Sequence, residues 1–123
     1  MEYCLYHPRE GYYRRGSSEI IGREGDYITS SHTHKLFAHC LADYFHAWFL
    51  HLDKPVPFQV CELGAGAGRL AEQILSYLRT AFPGLSEVID YLEIDVDRGD
   101  LPEEVTGIVF SNEFFDALPV HRV

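Results

Sequence analysis

The chain lacks a basic face, a long apolar run and paired cysteines, and each absence closes off a class of function. Ten Lys and Arg stand against nineteen Asp and Glu, for a formal net charge of −9. Binding to nucleic acid requires clustered positive charge to neutralise phosphates, so a nucleic-acid partner is not expected. No apolar stretch reaches the length that crosses a bilayer, and no membrane association is expected. No signal peptide or Arg-rich transit segment is evident, and the chain reads as cytoplasmic. Cys4, Cys40 and Cys61 show no CxxC spacing, two of them lie within apolar stretches, and an odd count at such positions suits a reducing compartment. His32, His34 and His39 lie close in sequence, but on a helix the first two point apart and no Cys or carboxylate completes a tetrahedral set. No metal is expected. Repeats and low-complexity linkers are missing as well, so 123 residues read as one domain or part of one.

What is there has a simple order. Residues 1–30 are rich in Tyr, Gly and Arg without a sustained period, which predicts an irregular arm. Ser30 or Ser31 is a candidate N-cap for a long helix. In it Leu36, Phe37, Cys40, Leu41, Tyr44, Phe45, Trp48, Phe49 and Leu52 repeat as one broad apolar face, up to Asp53-Lys54-Pro55. This pattern predicts an N-terminal part, 1–54, and a partial nucleotide-binding part, 55–123. In the second part, Pro57 to Leu63 reads as a strand. Leu70, Ile74, Leu75, Leu78 and Phe82 form a helical stripe closed by Pro83-Gly84. Val88 to Ile94 and Gly107 to Phe110 read as two further strands, the last one buried. Strand, helix, strand in this order predicts an α/β fold with a parallel, Rossmann-like sheet.

Between the first strand and its helix lies Glu62-Leu63-Gly64-Ala65-Gly66-Ala67-Gly68. A glycine-dense turn at this place lets a ligand approach the main chain and meet a helix N-terminus. A dinucleotide fingerprint needs its third glycine at position 69, which is Arg69. The E-x-G-x-G-x-G form instead matches enzymes that use S-adenosylmethionine (SAM). Glu62, Gly64, Ala65, Gly66 and Gly68 are therefore candidate cofactor-binding residues; a ligand-free αβ turn is the alternative.

Glu93 stands near the C-terminal end of the second strand, where a carboxylate can accept hydrogen bonds from both ribose hydroxyls of a nucleoside. It reads otherwise as a solvated strand-end acid beside Asp90, Asp95 and Asp97. Asn112 and Glu113 follow the third strand and emerge at the same sheet edge. Methyl transfer from a sulfonium is an in-line displacement that chiefly needs the acceptor held and oriented. A carboxylate can do this for a guanidinium through two parallel hydrogen bonds, and Asn112 can anchor substrate or cofactor through its amide. On the plainer reading the two residues cap the next helix while Phe114, Phe115 and Leu118 pack in the core.

One segment is too short. The crossover after Ile94 has only Asp95 to Val105 before the third strand, with Pro102 and no helical period. A crossover with its helix takes at least about 10–12 residues, and an added strand takes more. The expectation is that residues are absent near 94–95 and that the sheet is incomplete in this chain.

Four stretches together carry a resemblance. They are Tyr6-x-Pro8-x-x-Gly11-Tyr12-Tyr13, Gly25-Asp26-Tyr27-Ile28-Thr29-Ser30, the turn from Glu62 to Gly68, and Asn112-Glu113-Phe114-Phe115-Asp116-Ala117-Leu118-Pro119-Val120. The chain resembles the MidA-type (DUF185) family of SAM-dependent methyltransferases, whose mitochondrial members assist complex I assembly as protein-arginine methyltransferases. The resemblance implies a class I methyltransferase sheet, SAM as cofactor and a protein arginine as acceptor. It makes Glu113 and Asn112 the catalytic candidates. It adds Asp26, Thr29 and Ser30 near the cofactor, residues that otherwise read as a turn and a helix cap. The family usually carries Pro and Arg inside its glycine turn, where this chain has Ala65 and Ala67. It also has a longer segment after the strand holding Glu93, and a large C-terminal portion. A non-catalytic assembly protein and a small-molecule methyltransferase are the other functions compatible with these residues.

Overall fold

The structure, a computed structural model, describes residues 2–12 and 35–119. Its elements in chain order are α1 (Glu2–Tyr6), α2 (Lys35–His51), β1 (Phe58–Leu63), α3 (Arg69–Ala81), α4 (Pro83–Ser86), β2 (Ile89–Ile94) and β3 (Gly107–Ser111), followed by a 3-10 turn over Phe115–Ala117. The candidate N-cap at Ser30 or Ser31 lies outside the described residues, as do Asp26, Thr29, His32 and His34.

Both β2 and β3 pair with β1 in parallel, in the order β2-β1-β3. Side chains alternate across a strand, so the register puts Phe58, Val60 and Glu62 on one face with Ile89, Tyr91, Glu93, Ile108 and Phe110. The helices cover this face. Leu70, Ala71, Ile74 and Leu78 of α3 are buried at one-turn spacing, which is the apolar stripe of an amphipathic helix. From α2 come Ala38, Ala42, Phe45 and Phe49; Phe45 packs on Phe110 with ring centroids 5.3 Å apart, and Phe49 on Phe58 at 5.5 Å. The two helices meet through His39 stacked on Tyr77 and His46 stacked on Phe82.

Asp53 and Lys54 end α2 with left-handed φ values of 58° and 57°, and the Lys54 N–H reaches back to the Phe49 carbonyl. This satisfies a carbonyl that the last helical turn leaves open.

Several expectations are corrected. The start of the arm is not irregular throughout, since Glu2–Tyr6 is helical. The apolar face of α2 is only partly interior: Leu36, Cys40, Tyr44, Trp48 and Leu52 are exposed. The helix is apolar on most sides, and only the stripe facing α3 and the sheet is covered. Pro83 and Gly84 do not merely close α3; Pro83 opens the one-turn α4, whose Leu85 is buried. The third strand is not buried: it sits at a sheet edge, and Val109, on the face away from the helices, is 46% exposed.

The connection from β2 to β3 passes from one flank of β1 to the other in residues 95–106, without a helix or an added strand. Because β2 and β3 lie on opposite sides of β1, the strand order reverses beside β1, and the loops after all three strands leave from the carboxyl edge. Such a switch point is where open α/β sheets form their ligand crevice.

Candidate cofactor crevice

Three segments meet at that edge. Gly64, Gly66 and Gly68 carry φ values of 74°, 55° and 72°, left-handed conformations that side chains with a Cβ rarely adopt. Gly64 continues the ladder, its N–H donating to the Ile94 carbonyl at 2.8 Å. Gly68 is the N-cap of α3, with no side-chain cap, and the first turn of that helix follows it. Space makes the same demand as conformation. A Cβ on Gly64 would lie 2.5 Å from the Phe114 ring, and one on Gly68 would lie 2.6 Å from Oε2 of Glu93. The loop after β3 therefore rests against the start of the glycine turn, while the carboxylate from β2 sits over its end.

Glu62 occupies a different place. It is 3% exposed, faces the helix side, and accepts a hydrogen bond from the Tyr91 hydroxyl at 2.7 Å. Burial raises its carboxyl above the ordinary value; Tyr91 opposes this, and the nearby charge of Glu93 adds to it. The Tyr91 hydroxyl is itself pushed up, by burial first and then by Glu62, so it remains a donor. Glu62 thus ties β1 to β2 just before the turn.

A raised acid pKa in the folded state means that folding favours the proton. Glu62 contributes most favourably below the ordinary carboxylate range, and that contribution is lost as pH rises through the raised value. Glu62→Gln keeps an acceptor for Tyr91 and removes the buried charge. Its stability relative to the parent is expected to improve on going from about pH 4 to about pH 7 in urea unfolding, and an unchanged or reversed difference would exclude a charge cost at this site.

Two residues of this neighbourhood are missed by reading the sequence as strand-end acids. Asp95 accepts the Gly66 N–H through Oδ2 at 2.7 Å. Arg98 donates to the Gly66 carbonyl at 2.9 Å and pairs with Glu93 at 2.8 Å. The available signal was Arg98 itself, the lone cation in the acidic run from Glu93 to Glu104.

At the other side of the crevice, Asn112 is half-buried and Glu113 exposed, the latter with φ 50°. A left-handed glutamate at a strand end is strained by about 1 kcal/mol or more, and such strain concentrates at functional sites. Neither residue caps a helix: the 3-10 turn begins at Phe115 with no side-chain cap. Phe114 does pack, against Gly64, but Phe115 is 68% exposed and lies outside the core. Its ring lies against that of Phe114, with centroids 5.4 Å apart.

The donor set fits an adenosyl amino-acid cofactor on this geometry. It provides a backbone cradle too tight for Cβ atoms, a helix N-terminus, and a carboxylate standing over the last glycine. Among the described residues, no group of His, Cys, Asp and Glu is arranged to hold a metal, and no helix is long and apolar enough to cross a membrane.

Known proteins are similar to this chain. A family described as "Putative S-adenosyl-L-methionine-dependent methyltransferase" matches residues 40–99, from the middle of α2 through the Asp95–Arg98 turn. The chain is 27% identical, over 164 positions, to the fruit-fly mitochondrial protein arginine methyltransferase NDUFAF7 homolog, covering all of this chain and 37% of that protein. It is 28% identical over 122 positions to human mitochondrial protein arginine methyltransferase NDUFAF7, covering 99% of this chain and 26% of that one. A solved COG1565 superfamily member from Burkholderia thailandensis, bound to S-adenosyl-homocysteine, superposes with a TM-score of 0.71 at 28% identity. It covers 96% of this chain and 36% of that one. The chain thus spans roughly a quarter to somewhat over a third of the proteins it matches.

Proposed function

We propose that the chain, which is similar along its length to SAM-dependent methyltransferases of the MidA type, serves SAM-dependent methyl transfer to an arginine side chain of a protein. The observation that carries this reading is the convergence at one edge: Phe114 against Gly64, and Glu93 over Gly68. In this assignment Gly64, Ala65, Gly66 and Gly68 form the cradle, and Glu62 braces it through Tyr91. Glu93 takes the ribose hydroxyls. Asp26, Thr29 and Ser30, outside the described residues, complete the cofactor side as the family resemblance implies. When bound, the cofactor supplies an electrophilic methyl group on a sulfonium.

The protein's part is positional. Glu113 grips the guanidinium by paired hydrogen bonds and orients its nitrogen, offsetting the positive charge while the lone pair is aimed. Asn112 anchors the neighbouring group through its amide. The exposed Glu113 and Phe115 form an open rim, which suits a side chain presented by a protein better than an enclosed small molecule. The three free thiols suit a reducing compartment such as the cytoplasm.

A non-catalytic assembly role is the competing reading, favoured by Arg98 already occupying Glu93. Calorimetric titration with S-adenosylhomocysteine, followed by mass spectrometry of partner proteins, separates the two. Heat of binding together with methylated arginine supports the enzyme. Stable association without methyl transfer supports the scaffold.

A further inference from the structure

The short connection after β2 folds back on the crevice it leaves. Asp95 and Arg98 form an antiparallel bridge, the Asp95 N–H donating to the Arg98 carbonyl at 2.7 Å and the Arg98 N–H returning to the Asp95 carbonyl at 3.1 Å. The small turn so formed closes on Gly66 from both sides. Asp95 Oδ2 takes the Gly66 N–H and Arg98 Nη2 donates to the Gly66 carbonyl. Asp95 is held in place by its second oxygen, which accepts the Val96 N–H at 2.7 Å. The same Arg98 nitrogen lies 2.8 Å from Oε2 of Glu93.

We infer that the Asp95–Arg98 turn is a clasp competing with the nucleoside for Glu93, so that cofactor binding requires the Arg98 side chain to swing off that carboxylate. This rests on the cofactor reading proposed above. A ribose that engages both oxygens of Glu93 takes the one Arg98 now holds, and an ion pair is exchanged for hydrogen bonds from neutral hydroxyls to the same carboxylate. Asp95 is the fixed arm, since both its oxygens accept backbone N–H groups, of Gly66 and of Val96. Arg98 is the movable arm: its side chain is 45% exposed and that of Glu93 31%. An ion pair this accessible to water is weak, so the clasp sets a modest threshold without sealing the site.

The test is calorimetry with S-adenosylhomocysteine, which carries no net charge at neutral pH and so isolates the effect of salt on the protein. R98Q is expected to bind about two- to five-fold more tightly than the parent, the range an exposed ion pair can impose. Raising NaCl from about 50 mM to about 500 mM is expected to tighten binding to the parent, by screening the pair, and to leave R98Q unchanged. Binding by R98Q that is equal or weaker, while the parent binds and Glu93→Gln binds poorly, overturns the clasp and leaves the cofactor reading intact. No heat with the parent or either variant overturns both. Should R98Q fail to fold, the salt titration of the parent carries the test, and weakening by salt counts against the clasp. A crystal structure of the complex gives a second readout: Arg98 Nη2 beyond hydrogen-bond distance of Glu93 supports the inference, and an unbroken pair beside bound ribose refutes it.

Discussion

Gly68→Ala is expected to lower S-adenosylhomocysteine affinity by at least about ten-fold while the protein stays folded, a loss of about 1.4 kcal/mol. Two costs coincide at this position. The φ of 72° is strained for any residue with a Cβ, and the new carbon would stand 2.6 Å from Oε2 of Glu93. The carboxylate is the far end of a flexible side chain, so it can retreat by a rotamer change without moving β2. That relief keeps the sheet intact but withdraws the group assigned to the ribose. Thermal unfolding should therefore fall by only a few degrees, about 1 kcal/mol of backbone strain, while calorimetry shows the larger loss. If stability collapses with affinity, Gly68 serves the fold before it serves a ligand. If affinity survives, the cofactor lies elsewhere.

Glu113→Gln is expected to cut turnover by about a hundred-fold or more and to leave S-adenosylhomocysteine affinity within about two-fold. Glutamine retains the length and one acceptor, but it loses the charge and the paired-acceptor geometry that hold a guanidinium. Its neighbour Phe114 is the residue that packs against the start of the glycine turn, while Glu113 is exposed. Binding and turnover should accordingly separate. Equal loss of both would mean that Glu113 supports the cofactor; unchanged turnover would remove it from the reacting centre. Both measurements need an active protein preparation, and a methylated-arginine assay by mass spectrometry provides the turnover.

Much of the architecture is legible in the sequence. The α3 stripe, the glycine spacing and the three strands are local patterns, written within ten or so consecutive residues. Local physics, whether the pitch of a helix or the φ freedom of glycine, decides them. The boundaries from sequence, such as Pro57 to Leu63 for the first strand, differ from the observed Phe58–Leu63 by a single residue. The α2 helix was legible as a helix but not as a packed one. With apolar residues on most sides, its period cannot choose a buried face; the choice falls to α3 and Phe110, which come later in the chain.

By itself, then, the sequence determined which segments coil or extend, and that a left-handed glycine turn joins β1 to α3, because neighbours along the chain suffice to specify both. Tertiary structure decided what the acids do. Glu62 is a buried brace only because Tyr91 reaches it from β2, and Asp95 and Arg98 hold Gly66 only because parallel pairing brings the ends of β1 and β2 together. Burial, partner and charge environment are properties of contacts between residues some thirty positions apart, and no local period records them.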